Sequence, residues 1–201
     1  MAKIITGHTT YKGYTAQQHE NIFDIFPDFI NNIKPKRILE IGTAGGGFIL
    51  FIRDLLNSIG LNDTEIRTFD IVQQSYYKEL VENNINVNIK NIFNYEYNKL
   101  IDYDNIKNYI SDEGTTLVFC DGGYKKGEFN MLSDLLKTGD YIMAHDYIKD
   151  QDTFINKFKN NIWDWCEIIE SDIIDACERN NLVDYYNDKL NEVVWVCKKK
   201  V

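Results

Sequence analysis

The stretch Arg37-Ile38-Leu39-Glu40-Ile41-Gly42-Thr43-Ala44-Gly45-Gly46-Gly47 decides how this chain is read. An apolar run carrying one carboxylate passes into a glycine-rich turn, and the turn leads into a second apolar stretch over residues 48–59. The pattern predicts a strand, a tight turn and a helix, with backbone brought close to something bound at the strand's C-terminal end. Glu40 narrows the choice of ligand. A fixed negative charge beside the turn repels a pyrophosphate but welcomes a cation or a ribose hydroxyl. A dinucleotide fingerprint spaces its glycines as G-x-G-x-x-G. Here they fall at 42, 45, 46 and 47, which is the wrong register.

The remainder of the chain bounds the answer. Its 201 residues are 44% apolar and 13% aromatic with only two prolines, which suits one folded domain over 1–201 and excludes a disordered chain. A formal charge of -9 argues against nucleic acid as a partner, because phosphate contacts need clustered Lys and Arg. The dense basic run Lys198-Lys199-Lys200 reads as a solvated tail. Cys120, Cys166, Cys177 and Cys197 are widely spaced without a CxxC pair, so reduced thiols are expected rather than a zinc knuckle or disulfide scaffold. No apolar stretch reaches membrane-spanning length, and residues 1–13 lack the apolar core of a signal peptide. A cytoplasmic protein is expected, free of the membrane and compatible with a homo-oligomer.

Strand and helix signals alternate along the chain. Apolar positions recur at helical spacing over 17–33, with Pro27 predicting a kink or two abutting helices. Strands are expected over 37–41, 65–70, 87–90, 115–121 and 141–144, and helices over 48–59, 74–83, 98–110, 127–136 and 151–161. Two closing strands are expected near 165–170 and 192–198. Such alternation gives an α/β, Rossmann-like, doubly wound and mostly parallel sheet with helices on both faces. Ligands of such sheets bind outside the strand C-termini, where the strand order reverses.

The residues at those ends are polar and acidic. Asp70 could accept both ribose hydroxyls of an adenosine, or close its strand as an ordinary turn residue. Asn91-Ile92-Phe93 could frame a purine or simply pack. Asp121, His145 and Asp146, from consecutive strands, suit a hard divalent cation such as Mg²⁺ that would activate an acceptor oxygen. Alternatively, Asp121 orients backbone amides or a ligand amine while His145 packs. Lys125 and Lys126 at the rim are candidate bases or anion clamps. Tyr124 and Tyr147 are expected to flank the opening. The segment holding His8, Tyr11, Tyr14 and His19 could fold over it, which makes 1–34 an N-terminal helical or lid segment.

The set EIGTAGGG (40–47), TFD (68–70), FCDGG (119–123) and GDYIMAHDY (139–147) resembles the class I S-adenosylmethionine-dependent methyltransferases. More narrowly it is similar to small-molecule O-methyltransferase families with Asp-Gly after the fourth strand and His-Asp-Tyr after the fifth. The resemblance covers about residues 36–150 and implies a seven-stranded sheet. It implies a transferase that moves a methyl group from S-adenosylmethionine to a small-molecule hydroxyl. It places Glu40, Gly42, Ala44 and Gly45 around the methionine part of the cofactor, Asp70 on the ribose, and Ile92 and Phe93 beside the adenine, with Thr43 and Gly47 in the same cofactor-binding set. Asp121 joins this cofactor-binding set. In metal-dependent relatives the acidic residues after strands four and five bind the cation, which implies a metal-binding role for Asp121 and Asp146, with His145 beside them and magnesium as the candidate ion. Asp121, His145, Asp146 and Lys125 are the catalytic candidates. The chain writes Asp121-Gly122-Gly123-Tyr124-Lys125-Lys126 where the family often has Asp-Gly-Asp-His-x-Tyr, so the family's histidine is missing. A hydroxylase-like, metal-dependent enzyme on the same fold and a non-catalytic cofactor-binding partner protein are the alternatives.

Overall fold

The computed structural model describes residues 9–201. A small antiparallel hairpin, β1 (Thr10–Tyr11) and β2 (Tyr14–Thr15), precedes helix α1 (Ile22–Ile33). Pro27 lies inside one helix rather than between two. Ile22, Phe26, Phe29, Ile30 and Ile33 form a buried stripe that continues through it, so packing holds a helix that local propensity would break. Lys34 closes α1 in the left-handed conformation, its N–H donating to the Ile30 carbonyl.

The elements β3 (Arg37–Ile41), α2 (Gly47–Ser58), β4 (Glu65–Asp70), α3 (Tyr77–Glu82), β5 (Ile85–Ile89), α4 (Tyr103–Ser111), β6 (Thr116–Cys120), α5 (Lys125–Leu132) and β7 (Tyr141–Ala144) then alternate as expected, with shifted ends. The chain closes with α6 (Gln151–Thr153), α7 (Glu170–Arg179), β8 (Leu182–Asp184), α8 (Asn187–Leu190) and β9 (Val196–Lys200). The seven-stranded sheet has the order β5-β4-β3-β6-β7-β9-β8. β9 alone runs against the direction of the other six strands. Strand order reverses between β3 and β6. Both strands are buried along their whole length, which accounts for their near-continuous apolar sequences. Of the two large core clusters, one lies under α1 and α2 and includes Trp195 and the other lies under α4, α5 and α7; a third, small cluster gathers Ile148, Trp163 and Val194.

The C-terminal third departs from the expectation. Residues 165–170 form no strand; Ile168 makes a single bridge to Tyr147, and the chain enters α7. The alternation around Ile168 and Ile169 mimics a strand, whereas the buried Ile173, Ala176 and Cys177 carry the helical spacing. Residues 151–158 are one short α-turn followed by a π-helical turn, not a long helix. The 198–200 lysines are not a solvated tail, because they belong to β9. Lys198 is buried and paired with Glu170 (2.8 Å) and Asp184 (2.6 Å), while Lys199 lies over the Tyr141 and Tyr185 rings. All four cysteines are free thiols, and Cys120, Cys177 and Cys197 are buried. Among the described residues no helix is long and apolar enough to cross a membrane.

Candidate active site

The sheet's hydrogen-bond ladder runs one residue past the strand ends and aligns the candidate residues. Gly42 N–H donates to Phe69 O (2.8 Å), Asp121 N–H to Ile41 O (3.0 Å) and His145 N–H to Cys120 O (3.1 Å). Residues distant in sequence are thereby set side by side at the point where strand order reverses. Gly42, at φ 92°, has no room for a side chain: a Cβ there would lie 2.2 Å from the Asp121 carbonyl oxygen. Gly45 and Gly47 are pressed from the other side, their would-be Cβ atoms 2.2 Å from Thr15 O and 2.4 Å from Tyr14 O. Two of the three glycines assigned to the cofactor therefore also receive the N-terminal hairpin.

Glu40 lies on β3, 1% exposed, at the floor of a cavity of about 450 Å³. Thr68 Oγ1 donates to Glu40 Oε2 (2.5 Å), and the Thr43 and Thr68 hydroxyls are themselves 2.5 Å apart. Burial pushes the Glu40 pKa well above the usual carboxylate range; the Thr68 hydrogen bond opposes this, and Asp121 and Asp70 add to it. A cation placed beside this buried carboxyl would favour its ionised form. Asp70 accepts from Ala44 N–H (2.7 Å) and Val72 N–H (3.0 Å), and the Tyr76 hydroxyl donates to Ala44 O (2.7 Å). These bonds fix Ala44 at φ 41° and hold the shape of the turn. A second, small hollow of about 60 Å³ adjoins Asp70 and is lined by Asn91, Ile92, Phe93 and Tyr97. Phe93 stacks on Tyr97 with ring centroids 5.3 Å apart. Gly42 and Gly122 border both hollows, so the two form one path along the strand ends.

The far side of the larger cavity gathers Asp121, Lys125, His145, Asp146, Trp163, Trp165 and Glu167. His145 Nδ1 lies 2.9 Å from Asp121 Oδ1, and its ring stacks on Trp195. Burial opposes charging of His145, but the carboxylates of Asp146 and Asp121 outweigh it and raise its pKa above the ordinary 6.5. Its Nε2 is buried without a hydrogen-bond partner among the described residues. Asp146, at φ 55°, accepts from Trp163 Nε1–H at 2.6 Å. Burial works to raise the Asp146 pKa, yet His145, Lys125 and Trp163 together bring it below the ordinary value. Lys125 Nζ lies 3.0 Å from Asp146 Oδ2 and 2.7 Å from Glu167 Oε2. Burial disfavours the ammonium, but Asp121, Asp146 and Glu167 more than compensate and raise its pKa.

Several expectations fall elsewhere. Lys126 pairs with Asp172 at the surface (2.7 Å) rather than entering the cavity. Tyr147 is 4% exposed, donates to Glu170 Oε2 (2.7 Å) and belongs to the core, because its backbone is tied to Val194. Tyr11 bonds Asp54, and His19 Nδ1 accepts from Asn21 N–H beside the start of α1; neither lines the cavity. Tyr14 packs on Tyr76. His8 lies outside the described residues.

Four residues were not singled out from the sequence. Gln18, fully buried, donates Nε2–H to Asp121 Oδ2 (2.9 Å) and accepts from Trp195 Nε1–H (2.8 Å). Glu128, also fully buried, accepts from Gly122 N–H and Tyr124 N–H (3.1 Å each) and thereby shapes the loop between Asp121 and Lys125. Trp163 and Glu167 complete the wall. The tryptophan pair at 163 and 165 was the signal available for that wall; nothing local marks the other three.

A sheet of this order, with an acidic glycine turn at its switch point, is the Rossmann-like, doubly wound fold. The profile of the family described as rhamnosyl O-methyltransferase/CmcI matches residues 5–191, and the chain belongs to that family. It is thus a class I S-adenosylmethionine-dependent O-methyltransferase with a small-molecule acceptor. Three solved structures illustrate the likeness. The apo structure of CmcI-N160 is 15% identical with a TM-score of 0.64, covering 97% of this chain and 77% of that one. CmcI-D160 with Mg and S-adenosylmethionine is 16% identical at a TM-score of 0.61, covering 97% and 78%. A Staphylococcus aureus protein described as a caffeoyl-CoA O-methyltransferase is 14% identical at 0.56, covering 88% and 82%. At these identities the likeness speaks for the fold alone. No curated protein matches the chain by sequence. The family match does not favour the hydroxylase or non-catalytic readings.

Proposed function

We propose that the smaller hollow and the glycine turn hold S-adenosylmethionine, and that the Asp121–Lys125–Asp146 end of the larger cavity receives the hydroxyl of a small acceptor. The observation that carries this reading is Glu40, a buried carboxyl that faces the cavity and has no cationic side chain paired with it among the described residues. The ammonium and sulfonium of the cofactor supply a cation. Asp70 would exchange its bonds to the turn for the ribose hydroxyls, and Ile92 and Phe93 would cover the adenine. The methyl–sulfur bond breaks as the oxygen–methyl bond forms, and the acceptor's proton passes to the cluster of Asp121 and Asp146. Lys125 stabilises the developing charge on that oxygen, with His145 holding Asp121 in place beside it. Hairpin and α1, within the proposed lid of 1–34, exclude water from the transfer. Buried reduced thiols favour a cytoplasmic setting.

The donor chemistry fits a divalent cation, since one ligand atom each from Asp121, His145 and Asp146 lie within 4.8 Å of one another. Those three residues would hold the ion, which when bound would act as a Lewis acid on the acceptor oxygen.

The test is calorimetry with S-adenosylmethionine, S-adenosylhomocysteine and NAD. Binding of both sulfur nucleosides but not NAD is expected, and failure to bind either of them removes the proposal.

A further inference from the structure

Lys125 is the first residue of α5, yet its side chain turns back under the preceding loop and is only 5% exposed. Its Nζ meets Glu167 Oε2 at 2.7 Å, Gly122 O at 3.0 Å and Asp146 Oδ2 at 3.0 Å, with Asp121 Oδ1 at 3.9 Å. An ammonium has three protons, and three oxygens from three separate segments take them. The two aspartates contacted are the same two that belong to the candidate metal set. A divalent ion bonds carboxylate oxygens at about 2.0–2.6 Å. At Asp146 one oxygen is held by Trp163 Nε1–H at 2.6 Å and the other by the ammonium at 3.0 Å, so an ion bonding there would stand against a second cation on the same carboxylate, and their repulsion drives the ammonium out.

We infer that Lys125 is the resident cation of this site, so that a divalent ion enters only by displacing its ammonium from Asp146, and the two exclude one another. This rests on the proposed acceptor end of the cavity. Glu167, with its side chain 44% exposed at the rim, provides the displaced ammonium with a partner outside the donor set. A metal-free protein then already carries positive charge beside the acceptor oxygen, and loading with metal exchanges one source of that charge for another.

The experiment is a Mn²⁺ titration of the full chain, with free ion followed by electron paramagnetic resonance. Wild type is compared with Lys125→Met and Lys125→Arg. Lys125→Met should bind Mn²⁺ at least ~10-fold more tightly than wild type, whereas Lys125→Arg, which keeps the charge, should bind no more tightly. Adding Asp146→Asn to Lys125→Met should abolish the gain. Should Lys125→Met fail to fold, the lysine ammonium resonances of the wild-type chain serve instead. The protected Lys125 signal should disappear in step with Mg²⁺ occupancy. Equal Mn²⁺ affinity in wild type and Lys125→Met, or a Lys125 signal that persists at saturating Mg²⁺, overturns the inference. Loss of S-adenosylmethionine binding would count against the methyl-transfer reading and leaves the metal titration unaffected.

Discussion

Gln18 and Asp121 are joined by a 2.9 Å hydrogen bond although 103 residues separate them, and the same Gln18 amide accepts from the buried indole of Trp195. The N-terminal segment therefore touches the proposed catalytic carboxylate directly. Backbone contacts between Gln18 and Thr9 Oγ1 tie that touch to the hairpin. Replacing Gln18 with Leu leaves the Trp195 N–H buried and unpaired, which should cost about 1–3 kcal/mol in urea denaturation. Asp121 also loses a donor, so kcat/KM should fall by ~10-fold or more. A Gln18→Leu protein with reduced stability but unchanged kinetics would separate the segment from the chemistry.

Glu40 gives cofactor binding a pH dependence. Its folded-state pKa is raised by burial, so the ligand-free protein holds it protonated through part of the range above ordinary carboxylate values. A cationic cofactor binds the ionised form. Affinity should therefore rise by about tenfold per pH unit below the raised pKa and level off above it. Glu40→Gln should flatten this profile and weaken binding by about 10- to 100-fold at high pH, the loss of a charge-assisted contact worth about 1.5–3 kcal/mol. Calorimetry from pH 5.5 to 8.5 measures both. A wild-type affinity independent of pH would detach Glu40 from the cofactor.

How much of this was legible in the sequence follows the range of each interaction. Strand–turn–helix around Glu40 is a local pattern, and the strand-end residues Asp70, Asp121 and Asp146 follow from it once alternation sets the sheet direction. Gln18 and Glu167 act through side chains that reach across 103 and 42 residues, so no local pattern marks them, and Trp163, 17 residues from Asp146, has only the neighbouring Trp165 to mark it. The 198–200 lysines misled for the same reason. Glu170 and Asp184, which bury Lys198, become its neighbours only when β9 inserts between β7 and β8. Glu128 sits six residues from Gly122 but needed the loop's shape to be recognised as its brace.

Glu128 should leave its mark on stability. Burial lifts its pKa from 4.5 to about 7, against the pull of the backbone N–H groups of Tyr124 and Gly122. A carboxyl whose folded pKa is raised stabilises fully below its unfolded value and loses that contribution as pH climbs through the folded one. Between pH 4.5 and about 7 the wild type should therefore lose about 3 kcal/mol more than Glu128→Gln, which cannot ionise. Urea midpoints at pH 4.5 and 7.5 provide the comparison, and parallel losses in the two proteins would refute the assignment.

Trp163 donates to Asp146 Oδ1 at 2.6 Å, and that bond is one of the influences lowering the Asp146 pKa. Trp163→Phe keeps the ring and removes the donor. Asp146 should then titrate higher, so the acidic limb of the kcat profile should move to higher pH, at a stability cost of about 1 kcal/mol. An unmoved limb would mean that Asp146 does not govern it.

Gly45→Ala tests whether the hairpin is a separable cover. Gly45 is not in the left-handed region, so an alanine there strains no backbone dihedral. Its Cβ would nevertheless lie 2.2 Å from Thr15 O and 2.6 Å from Thr15 Cβ, so one of the two segments must move. The turn is held from beneath by Asp70 on Ala44 N–H and by the Gly42 and Thr43 bonds to Phe69 O, whereas β1 and β2 are two-residue strands. The hairpin should therefore yield, at about 1–3 kcal/mol, while the seven-stranded sheet persists. Limited proteolysis should cut within residues 9–18 faster than in wild type, and the Trp195 indole N–H should shift as Gln18 withdraws. Should the hairpin stay protected while the cofactor site is lost, the turn has moved instead, and the N-terminal segment is part of the site's foundation rather than its lid.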